Sequence, residues 1–420
     1  MWLLGKMLRQ VVKHGQLRVI DHDGSEHRFG DLAADPVTIR FADKGAALHV
    51  AKDPRVGAGE AYMDGRLVVE PPHDIRDMVL LVMQNANRRG GIAAPNPMKR
   101  GIDWIFAKAD QINLRPKASS NVTHHYDLTR QFYELFLDED RQYTMAYFKD
   151  PANTLERAQV DKKALIAAKL RLQPGMKVLD IGCGWGGLGL YLNRHFGCEV
   201  LGVSLAPDQV KFANERAEAA GVADKVRFQL TDYRDVEGPF DRITSVGMIE
   251  HVGAPHLSEY FAKTHQLLAD DGIMLTHTIG RTNGPGTTDK WTRKYIFPGG
   301  YIPAMSELVT ACEKSGWEIG DIEVLRYHYA HTIAEWYRRT TLHEAEITAL
   351  YDARLFRMWQ FYLAGAEQSF RHGSMVNFHI QSVKQRSALP MTRDYIGAEV
   401  ARLSAAEQAP EWHLEKKAAE

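Results

Sequence analysis

The sequence predicts an α/β fold: a mostly parallel central sheet covered by helices, preceded by a smaller N-terminal α+β domain. Three observations lead to it. From about residue 155, short apolar strands alternate with helical stretches, as in repeated strand–helix–strand units. The first of these strands ends in a glycine-rich turn that opens a helix, the usual ligand-binding edge of such a sheet. The chain has 420 residues, more than one domain usually holds, and its N-terminal part lacks the alternation.

Taken in order, residues 1–14 place Leu3, Leu4, Met7, Leu8, Val11 and Val12 at helical spacing, with Lys6, Arg9 and Lys13 between them. Such a helix either docks on its own domain or lies on a bilayer surface. Residues 17–22, 37–42 and 46–51 are expected as strands separated by turns such as Asp23-Gly24, and 74–86 as a helix. The stretch from Arg88 to Pro97, rich in Gly, Pro and Asn, reads as a linker. In the segment that follows, Trp104, Ile105, Phe106, Ile112 and Leu114 are interspersed with Lys99, Arg100, Lys108, Arg115 and Lys117, which suits an anionic lipid surface or packing between domains. The later strands are expected at Lys177–Ile181, Glu199–Val203, Val226–Leu230, Asp241–Val246 and Gly272–His277. Their helices are expected at 157–171, 186–196, 207–220 and 256–268. After residue 305 come a further helix, a strand near 318–326 and a helical, aromatic-rich tail. The expected division is a lipid- or membrane-associated domain over 1–95, a linker with an amphipathic helix over 96–122, and a catalytic domain over 123–420.

Composition narrows the function. The formal net charge of -1 argues against a general nucleic-acid binder, which would carry a basic field. Cys183, Cys198 and Cys312 form neither a disulfide framework nor a paired metal-ligand spacing, so no metal is expected and the compartment is read as reducing. No apolar run approaches the ~20 residues of a membrane-spanning helix. A cytoplasmic location with at most peripheral membrane contact is expected.

The most informative stretch runs from Val178 to Gly187. It has GxGxGG spacing rather than the GxGxxG of dinucleotide binders, and Asp180 stands two residues before Gly182. This longer pattern is the signature of an S-adenosylmethionine methyltransferase with a Rossmann-like class I fold. Gly182 and Gly184 would let the backbone approach the cofactor closely. The second strand, which in such enzymes usually ends in an acidic residue, is followed here by Ser204, so Ser204 and Gln209 are the candidates for the ribose. Asp232 and Tyr233 could hold the adenine by hydrogen bond and stacking.

The cofactor loop together with SVGMIEHVG (Ser245–Gly253), LTHTIG (Leu275–Gly280), KYIFPGGYIP (Lys294–Pro303) and YAHTIAEWY (Tyr329–Tyr337) closely resembles the cyclopropane-fatty-acyl-phospholipid synthases, and more distantly the mycolic acid cyclopropane synthases. HHYDLTRQFYELFLD (His124–Asp138) and YTMAYF (Tyr143–Phe148) are similar to the segment preceding the family's core, and GEAYMDG (Gly59–Gly65) to the N-terminal domain of its phospholipid-acting members. The resemblance covers nearly the whole chain. It implies transfer of a methylene from S-adenosylmethionine to the cis double bond of an unsaturated phospholipid acyl chain, with bound bicarbonate as the base. The bicarbonate cradle maps onto Cys183, Glu250, His277, the backbone at Ile279, and Tyr329, and Tyr143 and Thr144 map onto a flap over the methionine end. It also implies peripheral association with the inner membrane surface and a homodimer. Ile249 stands where the family more often has Phe. The alternatives are a lipid methyltransferase that makes methyl-branched or methylene-bearing chains, and a non-catalytic lipid-binding protein.

Overall fold

The computed structural model describes residues 1–87 and 128–407. The expected linker at Arg88–Pro97 and the basic, aromatic segment at 98–117 lie outside the described residues. Contacts divide the chain into two compact units, and the division is not the linear one expected. The first holds the described residues up to Asn87 together with Thr288–Phe297 and Ile333–Ser374. The second holds those from Leu128 to Thr287, Pro298–Thr332, and Met375 to Glu407. Two segments of the expected 123–420 domain therefore belong by contact to the N-terminal unit.

The first unit is built on a four-stranded sheet of β1 (Gln16–Ile20), β2 (Glu26–Gly30), β3 (Pro36–Phe41) and β4 (Leu67–Val69), in the order β2-β1-β3-β4. β1 runs antiparallel to β2 and parallel to β3. Helix Trp2–Val11 docks on this unit through Leu4 and Gly5 and leaves Trp2 77% exposed. The strand expected over 46–51 is instead helix Ala46–Lys52. Six residues are too few to separate a period of 2 from one of 3.6, and alanine favours the helix. The helix buries Ala46, Ala47 and Val50, a helical face. Helix Pro54–Met63 carries most of the GEAYMDG motif. A Cβ on its Gly59 would fall 2.4 Å from Nε1 of Trp291, so only glycine allows that approach.

The second unit contains a seven-stranded sheet. Its strands are β5 (Lys177–Ile181), β6 (Glu199–Ser204), β7 (Val226–Leu230), β8 (Phe240–Val246), β9 (Leu268–Arg281), β10 (Glu318–Leu325) and β11 (Met375–Val383). The order is β10-β11-β9-β8-β5-β6-β7, with β11 antiparallel to both of its neighbours and the pairs from β9 to β7 parallel. β11 was not anticipated in the helical, aromatic-rich tail expected there. Side chains alternate across the sheet. Val178 belongs to the apolar cluster with Ile166, Leu192 and Leu275, whereas Leu179 and Ile181 join Tyr260, Phe261 and Trp317 on the other face. Helix Leu155–Leu170, capped by Thr154, packs against the first face.

Candidate active site

The carboxyl ends of β5, β6, β7 and β8 converge on one cavity, where the topology of a parallel sheet places a ligand. All nine residues expected to hold the cofactor line it: Tyr143, Thr144, Asp180, Gly182, Gly184, Ser204, Gln209, Asp232 and Tyr233. The glycine turn after β5 is held down by the amides of Gly182 and Cys183, which both donate to the Val203 carbonyl, at 2.9 and 3.2 Å. Gly182 has φ +82°, a left-handed conformation that L side chains rarely adopt. Asp180 is buried and its Oδ2 has no hydrogen-bond partner. Burial pushes its carboxyl up to about 7, against the pull of the nearby Lys162 charge. Ser204 Oγ accepts from the Ala206 amide at 3.2 Å, and Gln209 lies in the first turn of helix Pro207–Ala219. Both Asp232 oxygens are engaged by Arg234, at 2.9 and 2.5 Å, and Tyr233 packs edge-on against Tyr260 with ring centroids 5.3 Å apart.

The flap over this cavity depends on residues that sequence reasoning missed. Arg141 takes a left-handed φ of 54°, turning Gln142, Tyr143 and Thr144 towards the cavity. From the helix below, Lys162 Nζ donates to Gln142 Oε1 and Thr144 Oγ1, both at 2.7 Å. Gln159 Nε2 donates to the carbonyls of the same two residues, at 3.2 and 3.0 Å. Asp140 is paired with Lys163 and Arg216, and Arg216 also donates to the Trp185 carbonyl at 3.0 Å. Gly247 completes the closure, since a Cβ there would meet Thr144 Cγ2 at 2.9 Å.

The five residues expected in the anion cradle are distributed less evenly. Only Cys183 lines the cavity. Burial raises its thiol pKa well above the ordinary value, so it is a protonated donor rather than a thiolate. Glu250 lies on the short turn Ile249–His251 after β8, and its neighbour His251 lines the cavity. Glu250 Oε1 accepts from the Ile279 amide at 2.5 Å, while its buried Oε2 has no partner. Burial raises this carboxyl to about 7. His277 is buried on β9, two residues before Ile279, and burial lowers its imidazole to about 3. Tyr329 is buried in the first turn of helix His328–Leu342. Ile249 is buried in the apolar cluster around Tyr260. His251, whose imidazole burial lowers to about 4, was not anticipated as a cavity residue.

The family model of mycolic acid cyclopropane synthetase matches residues 114–380. The chain belongs to that family. Cyclopropane-fatty-acyl-phospholipid synthase of Escherichia coli (strain K12) is 36% identical over 336 residues, 80% of this chain and 85% of the relative. A "Probable fatty acid methyltransferase" of Pseudomonas putida is 39% identical over 288 residues, 65% of this chain and 72% of the relative. The crystal structure of a mycolic acid cyclopropane synthase complexed with SAH and CTAB superposes with a TM-score of 0.60 at 30% identity, covering 63% of this chain and 97% of that one. The enzyme is thus an S-adenosylmethionine-dependent methyltransferase of the class I fold. No helix among the described residues is long and apolar enough to cross a membrane.

Proposed function

We propose that this methyltransferase is a cyclopropane-fatty-acyl-phospholipid synthase, which adds a methylene across the cis double bond of an unsaturated phospholipid acyl chain. The observation that carries the reading is Glu250: a buried carboxyl near pKa 7, fixed on the Ile279 amide, with one oxygen unpartnered. S-adenosylmethionine, when bound, supplies an electrophilic methyl group. The double bond of the acyl chain would take that methyl as its bond to sulfur breaks and S-adenosylhomocysteine leaves, and the resulting carbocation would close to the ring when the new methyl loses a proton. Glu250 is suited to receive or orient that proton, because burial raises its pKa to about 7, into the neutral range. Bicarbonate, when bound, would supply the base itself, and a hydroxyl-bearing anion would satisfy Glu250 Oε2. The Cys183 thiol and the Tyr329 phenol are donors of the right chemistry for it, and the His277 imidazole is one if its Nε2, which faces the Asn377 side-chain amide at 3.3 Å, turns its proton to the anion. The Ile279 amide serves the anion only if Glu250 gives it up.

The test is incubation with unsaturated phospholipid vesicles and S-adenosylmethionine, followed by mass spectrometry and proton NMR of the fatty acids. A chain one methylene heavier, with shielded cyclopropane protons and no olefinic signal, is the expected product. The same mass gain with olefinic protons retained, or a gain two hydrogens larger with branched-methyl protons and no olefin, would move the function to the second reading. No mass gain would overturn both readings.

The partner proposed is an anionic membrane surface, met in part by helix Trp2–Val11. Trp2 and Leu3 are exposed at one end of it, with Lys6, Arg9 and Lys13 exposed along the same stretch. Aromatic and basic groups together suit a lipid interface, at roughly 1 kcal/mol per basic residue near the surface. Combining Trp2→Ala, Lys6→Glu and Arg9→Glu should weaken binding to phosphatidylglycerol vesicles at least ~10-fold, and added salt should weaken wild-type binding. Co-sedimentation reads both effects, and salt-insensitive binding that survives the triple change would remove this surface from the proposal. A homodimer would place two such helices on one vesicle and raise its avidity.

A further inference from the structure

A line of polar side chains, buried except at its Glu323 end, runs through the second unit, and the mechanism outlined above uses only its His277. It begins at Glu323 on β10, whose Oε2 lies 2.6 Å from Nζ of Lys169. The Lys169 side chain is fully buried, and its Nζ also lies 3.2 Å from Nδ1 of His379 on β11. His379 Nε2 lies 2.9 Å from Nδ1 of His277 on β9. His277 Nε2 in turn lies 3.3 Å from the side-chain amide of Asn377. Register explains the alignment: His379 stands opposite His277 and Asn377 opposite Ile279, so four side chains share one face of two paired strands.

Proton bookkeeping along this line leaves one solution. Burial lowers the Lys169 pKa, but the Glu323 carboxylate at 2.6 Å opposes that shift and holds the lysine as an ammonium, which only donates. His379 Nδ1 must therefore accept, so the single proton of this neutral imidazole sits on Nε2. That proton points at His277 Nδ1, which must accept in its turn, so the proton of His277 sits on Nε2. Both rings are kept neutral: burial depresses their pKa values, and the Lys169 charge acts in the same direction. Lys162, and for His379 also His328, face the pair and likewise oppose a second proton. Asn377 is consistent with this order. Its Oδ1 is buried without a partner while its Nδ2 faces His277, and turning the amide over places an acceptor against the Nε2 proton.

We propose that Lys169 and His379 are positioning residues that lock His277 as its Nε2–H tautomer, a fixed donor that cannot serve as the base at this site. Proton acceptance then falls to Glu250 or to an anion held beside it. The consequence for turnover rests on the reading under Proposed function, whereas the tautomer itself does not.

The experiment is 15N NMR of histidine-labelled full-length protein between about pH 6 and 8, with the His277 signals assigned by their loss in His277→Gln. Wild type should show a protonated Nε2 and a bare Nδ1 at His277 throughout. A protonated Nδ1 or an imidazolium there overturns the proposal without any variant being needed. His379→Gln supplies an acceptor and a donor in one amide, so it should keep the Nε2–H signature and kcat within about 3-fold. His379→Leu supplies neither. It should give a mixture of tautomers and lower kcat about 10- to 100-fold with KM for S-adenosylmethionine unchanged, the size typical of losing a ligand-orienting partner. Equal loss in both variants, or wild-type behaviour in His379→Leu, would overturn the positioning role. Should the tautomer be as stated while no lipid product forms in any variant, the failure lies with the proposed function and not with the lock.

Discussion

Replacing Glu250 with glutamine is expected to lower kcat by about 10³-fold, the middle of the range for a group that moves a proton in the transition state, while S-adenosylmethionine affinity stays within about 3-fold. The separation follows from geometry: Glu250 lies outside the cavity lining that holds the cofactor residues. Glutamine keeps the shape and the oxygen that accepts from the Ile279 amide, but it cannot take a proton. The pH dependence gives a second signature. The ionised carboxylate is the form that accepts, and burial places its pKa at about 7. Wild-type kcat/KM should therefore rise about tenfold per pH unit below that value and level off above it. Stability moves the other way. In the unfolded chain Glu250 releases its proton near 4.5, whereas in the folded enzyme it holds it to about 7. Raising the pH across that window therefore removes stability, on the order of 3 kcal/mol in all, and Glu250→Gln should flatten this part of the stability profile. Isothermal titration, pH–rate profiles and urea unfolding at several pH values measure the three effects. Product formation at wild-type rate in Glu250→Gln would remove the residue from the chemistry.

Why the cofactor loop could be read from the sequence and this neighbourhood only in part is a matter of which signals are local. The turn from Asp180 to Gly187 needs particular residues at fixed spacing, because its backbone takes conformations that side chains oppose. That constraint is written in the sequence itself. The parallel strands could be placed for the same reason, each being a short apolar run set between helical stretches. β11 was hidden because almost all of it is buried, its polar Asn377, His379 and Gln381 included. A strand with polar groups turned into the interior gives no polar-out signal. Glu250 and His277 were singled out through a family pattern. His379, the partner of His277, and Lys169 beyond it carry no motif and come together only through the pairing of β9 with β11 and the helix across them.

Changing Lys162 to methionine should have the other large effect, and it tests the residue that sequence reasoning had least chance of finding. Helix Leu155–Leu170 contains three lysines that would ordinarily mark a solvent face, yet Lys162, Lys163 and Lys169 are all buried. With polar groups on every side the helix shows no amphipathic period, so no sequence rule separates these lysines from surface ones. Methionine fills much of the same volume without charge or donors. Gln142 Oε1 and Thr144 Oγ1 would each lose a partner at 2.7 Å. Asp180 and Asp138 would lose a positive neighbour that holds their pKa values down, and both carboxyls would shift further upward. Removing one member of a buried charged cluster typically costs about 3–5 kcal/mol, which unfolding in urea would register. The flap carries Tyr143 and Thr144 into the cavity, so S-adenosylmethionine binding should weaken about 30-fold or more by isothermal titration. The two readouts separate the roles. Lost stability with unchanged cofactor affinity would make Lys162 a structural residue only. Weakened affinity in a variant that remains folded under assay conditions would mean that this buried lysine holds the flap in its cofactor-binding position.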